Sequence, residues 1–303
     1  MRLLILIVVF LLEQAWPLDY ARWISTPFAA WAGFLEKRCN AGDYGHGVLA
    51  GAIAILAPVG IVGAAWWSVN AVGKLSAFLL GVAVLYCVMG FRQFSHFYTD
   101  VQIALRLENI DRARDQLGAW RGETLSRCGI ADIARISIET ALVAAHRHVF
   151  AILFWFALLG PVGAVLYRCS HLLAETWTPA RNGEVFSRFA RQWFAVVDWL
   201  PARVTAMAFA VVGNFEDAVY CWRHQATRWR DAATGVVLAS GGGALGVRLG
   251  LSSSPETPED ADLFGTGAPA DVEFMQGAIG LVWRAIALWL LVLCVLGLVR
   301  LTS

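Results

Sequence analysis

The sequence predicts an all-α, polytopic helical membrane protein with about five to six transmembrane helices and an amphipathic helical region outside the bilayer. Three observations carry that prediction. Hydrophobic residues make up 58% of the 303 positions and charged residues only 16%, where a soluble domain has about half and about a quarter; mean hydropathy is +0.59. The excess is clustered, because 47–69 is a run of 23 residues without a charge, and 75–91 and 149–167 are uncharged runs of 17 and 19. At 1.5 Å rise per residue, about 20 apolar residues cross a hydrocarbon core of roughly 30 Å. A backbone without water must satisfy its own hydrogen bonds, which makes these runs helices.

The elements follow in order. Segment 1 covers 3–16; Met1 and Arg2 ahead of an apolar run resemble a signal peptide, but Glu13 and Gln14 follow without a small-x-small cleavage site, so a retained helix is expected. Segments 2 (47–69) and 3 (75–91) are joined by so short a link, 70–74, that they must form a helical hairpin. The stretch 92–148 differs in kind, with eight arginines and amphipathic periodicity, and is expected outside the membrane. Ile103, Leu107, Ile110 and Leu117 fall on one helical face, with Thr99 or Asp100 as N-cap. Ile133, Ile136, Thr140 and Val143 mark a second helix leading into segment 4 (149–167), which Gly160 and Pro161 are expected to kink or hinge. Segment 5 (193–212) carries Asp198 and Arg203, and segment 6 (279–299) carries Arg284, whose long stem lets its charge snorkel to water. A glycine-rich stretch, 241–250, and an acidic Ser/Pro-rich run, 252–262, read as a flexible loop over 241–271. The whole chain, 1–303, is read as a single membrane domain.

Several classes are excluded or set aside. A net charge of +1 gives no nucleic-acid footprint. Six cysteines without a CxxC pair read as buried or idle thiols. No inverted repeat points to a small-solute transporter. The segment GGGALG at 241–246 formally fits GxGxxG, but no βαβ alternation surrounds it, so nucleotide binding is not expected there. His146 and His148 stand two apart, not at the three- or four-residue spacing that puts two ligands on one helix face, and are expected at the membrane interface. Trp66, Trp67, Tyr167, Trp177 and Trp193 are expected as interfacial anchors. Pro201 suits a first helical turn, which would make Asp198 an N-cap. If all six segments cross, the loops 13–46, 92–148 and 213–278 hold fifteen Lys and Arg against seven on the other face, which places them in the cytoplasm.

From segment 4 onward the residues resemble a known family. SIETALVAAHRHVFAILFWFALLGPVGAVLYR, DWLPARVTA at 198–206 and GGALGVRLG at 242–250 resemble the CobD/CbiB membrane proteins of cobalamin biosynthesis. The resemblance implies an adenosylcobinamide-phosphate synthase, which joins an aminopropanol group to adenosylcobyric acid with ATP. The chain departs from that family's pattern in three blocks. Its ExxxENxxDGVVAPLFW, laid on 139–155, keeps Glu139 but meets Val143, Ala144, Arg147 and His148. Where it has NTLD stand His171, Leu172, Leu173 and Ala174, and where it has ARLDD stand Arg191, Gln192, Trp193, Phe194 and Ala195. A carboxylate-rich amidation site loses its acids in these blocks.

The remaining pattern resembles AmpE, a non-catalytic relative, in Arg147 and in the DWLPAR block. That likeness implies a signalling modulator or accessory protein in a bacterial inner membrane. The leading expectation is therefore non-enzymatic, with the synthase as alternative. The candidate functional polar residues are Glu139, Arg147, Arg168, Asp198 and Arg203. No metal or cofactor is expected; ATP and magnesium enter only with the synthase reading. The expected partners are the lipid bilayer and a membrane or cytoplasmic protein, not nucleic acid.

Overall fold

The uncharged runs fold into helices, and the chain is helical almost throughout. The computed structural model describes residues 1–16, 18–40, 42–125, 128–179, 183–229, 231–250 and 265–302. Among the described residues, four helices are long and apolar enough to cross a membrane: Tyr44–Val72, Ile130–Leu159, Glu184–Val212 and Val272–Val299. Lys74–Val88 and Ala232–Leu245 are shorter apolar helices. The first helix has 14 residues, about 21 Å, which is less than a hydrocarbon core.

The chain divides into two compact units, Met1–Gly90 with Arg147–Pro201, and Phe91–His146 with Ala202–Ser303. In the first unit α1 (Arg2–Ala15) packs on α4 (Lys74–Val88). It buries Ile5, Leu6 and Val9, and Arg2 donates to the carbonyl of Ala157. A π-helical turn, Ala21–Ser25, leads into α2 (Thr26–Cys39). The expected hairpin is there, with α3 (Tyr44–Val72) and α4 separated by Gly73 alone. Gly47 of α3 lies so close to another backbone that an added Cβ would sit 2.5 Å from the carbonyl oxygen of Phe186.

Segment 4 is redrawn. The membrane-long helix runs from Ile130 to Leu159, so it takes in residues 130–148 that were expected outside the bilayer. It consists of α7 (Ile130–Ala145), a π-helical turn (His146–Phe150) and α8 (Ala151–Leu159). Gly160, at φ +68°, ends it, and Pro161 starts α9 (Pro161–Thr176), which packs back on α8. The Gly-Pro pair is thus a break between two helices, because glycine takes the left-handed φ and proline suits a first helical position.

Segment 5 is also redrawn. The helix α10 spans Glu184–Val212, with Pro201 inside it, so Asp198 is a mid-helix residue and not an N-cap. Proline removes the N–H that would bond to the carbonyl four residues earlier. That carbonyl belongs to Val197, and the Trp155 indole N–H donates to it at 3.3 Å. A neighbouring helix supplies the missing donor, which is how an apolar helix tolerates an internal proline.

The second unit opens with α5 (Phe91–Arg106) and α6 (Ile110–Arg121), where the sequence suggested one helix capped at Thr99 or Asp100. Thr99 lies inside α5, its hydroxyl bonded back to the Ser95 carbonyl. The chain breaks at Glu108, at φ +56°, and restarts under Asn109, whose side chain accepts from the Arg112 N–H. Ile103 and Leu107 are exposed, while Tyr98, Val101 and Leu105 are buried, so α5 buries another face than the one expected; in α6 the expected Leu117 is buried and Ile110 half-buried.

The glycine run is no loop. It lies in α12 (Ala232–Leu245), which packs on α11 (Phe215–Gln225). Gly241, Gly242 and Gly243 are buried there, and a Cβ at Gly243 would stand 2.5 Å from the Asp217 carbonyl oxygen. Glycines here let two helix backbones touch. Gly246, at φ +67°, ends α12. Two short strands, β1 (Val247–Arg248) and β2 (Ala268–Pro269), pair in parallel, and α13 (Val272–Thr302) closes the unit. The acidic run 252–262 lies outside the described residues.

Candidate functional site

An ionisable side chain in a membrane-long helix costs several kcal/mol unless it is partnered, so the partners of the five candidates sort them. Glu139 and Arg135 stand one turn apart on α7, both buried. Glu139 accepts the Gly250 N–H at 2.7 Å, Arg135 donates to the Gly250 carbonyl, and Arg135 also pairs with Asp132 at 3.1 Å. These two charges grip both sides of one backbone residue, which is a fold-holding arrangement within the second unit. Arg203 is half-buried in that same unit. His146 is buried there, with Nδ1 2.9 Å from the Thr205 hydroxyl.

The other three candidates, Arg147, Arg168 and Asp198, belong to the first unit and are brought into one polar cluster. Tyr167, His171 and Glu175 follow at intervals of four along α9, so they share one face. The Tyr167 hydroxyl donates to Asp198 Oδ1 at 2.8 Å. His171 Nε2 lies 3.4 Å from a Glu175 oxygen, and its ring stacks on Tyr167 with the planes 6° apart. Arg168 is fully buried. Its Nε and Nη2 donate to the Val88 carbonyl at 2.9 and 2.6 Å, the last turn of α4 offering an oxygen with no helical partner. The same guanidinium lies 3.2 Å from His148 Nδ1 and 4.7 Å from the centroid of the Tyr20 ring. Arg147 lies over Phe194 at 5.9 Å, and Phe194 is 5.2 Å from the ring of His171. His148 meets His171 edge to face at 6.0 Å. Two arginines, two histidines and two carboxylates thus surround a small aromatic core, with positive and negative charges matched.

Tyr167 and Trp177, expected as interfacial anchors, are completely buried. His146 and His148 sit midway along a membrane-long helix and not at its mouth. Tyr20, His148, Tyr167, His171 and Glu175 stand outside the five candidates; the four-residue spacing of the last three was the available signal, and the sequence offered none for Tyr20 and His148.

A model of the family described as CobD/Cbib protein matches residues 16–282. The chain belongs to the CobD/CbiB family. It is 32% identical over 283 residues to the cobalamin biosynthesis protein CobD of Stutzerimonas stutzeri (strain A1501), covering 88% of each chain. It is 33% identical over 215 residues to the protein of the same name from Chromobacterium violaceum, covering 70% of this chain and 68% of that one. A third such protein, from Photorhabdus laumondii subsp. laumondii, is 25% identical over 206 residues. No solved structure matches.

Four residues of the stretches expected to depart from the family's pattern lie in this cluster. Arg147 lies against Phe194, Phe194 against His171 and His171 against His148. Beside them stand Tyr167, Arg168 and Asp198, which keep to the resembling blocks.

Proposed function

We propose that this chain acts in cobalamin biosynthesis as a multi-pass protein of a bacterial inner membrane, at the adenosylcobinamide-phosphate synthase step. The observation that carries the reading is the 32% identity, over 88% of both chains, with a protein named for cobalamin biosynthesis. The family match from 16 to 282 takes in every residue of the first unit's cluster, from Tyr20 to Asp198. Joining an amine to a carboxyl group activated by ATP requires a group that takes the amine's proton and donors that steady the acyl oxygen. Asp198, Glu175 and His171 are bases of suitable kind, and Arg147, Arg168 and His148 are donors.

The described residues hold no group of three His, Cys, Asp or Glu that could bind a metal ion. Magnesium carried on nucleotide phosphates needs only one or two protein carboxylates.

One observation favours a second reading, an AmpE-like modulator without synthase activity. Arg147 over Phe194, with His171 alongside, stands where the resemblance implies acids. Expression in a bacterium deleted for its own synthase decides between the two, with cobinamide phosphate measured by mass spectrometry. Product above the empty-vector level supports the synthase. Folded, membrane-inserted protein without product rejects it, and a change in β-lactamase induction on deletion in the native host then supports the modulator.

A further inference from the structure

The two histidines of the first unit's cluster stand only 6.0 Å apart, yet their partners are chemically opposite. His148 Nδ1 faces two nitrogens of Arg168, each at 3.2 Å. A guanidinium only donates and stays charged throughout the physiological range. Nδ1 of His148 must therefore be the acceptor, so the ring is neutral with its proton on Nε2. Protonating Nδ1 would set a second positive charge against a buried guanidinium that Val88 already fixes in place. His171 has a carboxylate at Nε2 instead, that of Glu175 at 3.4 Å. A proton gained there is balanced by the neighbouring negative charge. The Glu175 side chain is 56% exposed and the His171 side chain 3%, so the pair links a buried ring to water one turn away.

The surroundings preserve this division. From α9 itself, His171 faces Tyr167 and Glu175. From the π-helical turn come His148 and, over the shared Phe194 ring, Arg147. From α10 comes Asp198, held by the Tyr167 hydroxyl. Tyr20, ahead of α2, covers Arg168 and His148. α4 gives the Val88 carbonyl to Arg168, and α3 presents Gly51 to Leu173. α2 keeps Lys37 and Arg38 exposed and Glu36 half-buried.

We infer that the cluster divides its histidines by role: His148 is a fixed, neutral Nε2–H donor, and His171 with Glu175 is the group that takes up and releases protons. Such a pair suits a substrate that offers a carbonyl or phosphoryl oxygen beside a group that gains or loses a proton. The assignment stands on these contacts and does not depend on the synthase reading.

The test is nitrogen-15 NMR of full-length protein in nanodiscs, with labelled histidine and signals assigned through His148→Gln and His171→Gln. His148 is expected to stay a neutral Nε2–H tautomer across the histidine range, while His171 titrates. Glu175→Gln should weaken proton binding at His171 several-fold, up to about tenfold, and leave His148 unchanged. A His148 that titrates, or carries its proton on Nδ1, overturns the inference. So does a His171 midpoint unmoved in folded Glu175→Gln protein. Because the readout needs no substrate, failure here is separate from failure of cobinamide phosphate synthesis.

Discussion

Trp155 donates its indole N–H to the Val197 carbonyl at 3.3 Å, and Val197 is the residue whose helical acceptor role is emptied by Pro201 four positions on. The bond belongs to the first unit and lies one residue from Asp198, so it supports the turn that presents that carboxylate to Tyr167.

Trp155→Phe removes the donor and is expected to lower stability by about 1 kcal/mol or more, leaving a buried carbonyl unmatched. Pro201→Ala restores the helical N–H to Val197, so Trp155→Phe should cost less in that background. Thermal unfolding of the four proteins in detergent measures the coupling. Equal costs in both backgrounds would show that Trp155 acts by packing alone.

The Gly250 clamp predicts a graded pair. Glu139→Ala leaves a buried arginine with one fewer partner and a buried N–H unbonded, at an expected cost of about 2–4 kcal/mol. Glu139→Gln keeps an acceptor for Gly250 and should cost less. Yield of monodisperse protein and its melting temperature read the difference; a Gln variant as damaged as Ala would refute the backbone-acceptor role.

Backbone contact between α11 and α12 predicts that Gly243→Ala is poorly tolerated, since its Cβ would meet the Asp217 carbonyl oxygen at 2.5 Å. Overpacking of this kind costs about 1–3 kcal/mol. Gly280 of α13 has nothing within 4 Å of such a Cβ, so Gly280→Ala serves as the neutral control. Both are compared by thermal unfolding.

Tyr20 predicts a gain. Its hydroxyl is buried with no hydrogen-bond partner, while its ring covers Arg168. Tyr20→Phe keeps the ring and removes the hydroxyl, so stability should be unchanged or higher. Burial pushes this hydroxyl up to about 12. The folded state therefore favours the neutral form, a contribution present below about pH 10 and lost as the pH climbs towards 12. Melting temperatures across that alkaline range should fall less steeply in Tyr20→Phe.

Much of the fold was legible from runs of uncharged residues, because a segment that must hide every backbone dipole has few conformations open to it. The hairpin at Gly73 followed from link length alone. Local propensity failed where packing overruled it: Pro201 reads as a helix start until Trp155 supplies its missing bond, and GGG at 241–243 reads as a loop until α11 approaches closely enough to need it. The candidate site divides the same way. Arg147, Arg168 and Asp198 were visible as charges in apolar surroundings, but Glu139 was indistinguishable from them until its grip on Gly250 appeared.

The sequence by itself determined a helical membrane protein of this family and the three blocks in which it departs from the pattern. Only the tertiary structure decided that Arg147, His171 and Phe194 share one site, because they lie on three separate stretches of chain. It also decided the roles of the two histidines, since a ring's protonation is set by the atom facing each nitrogen, and that atom comes from elsewhere in the fold for His148 and from the next turn for His171.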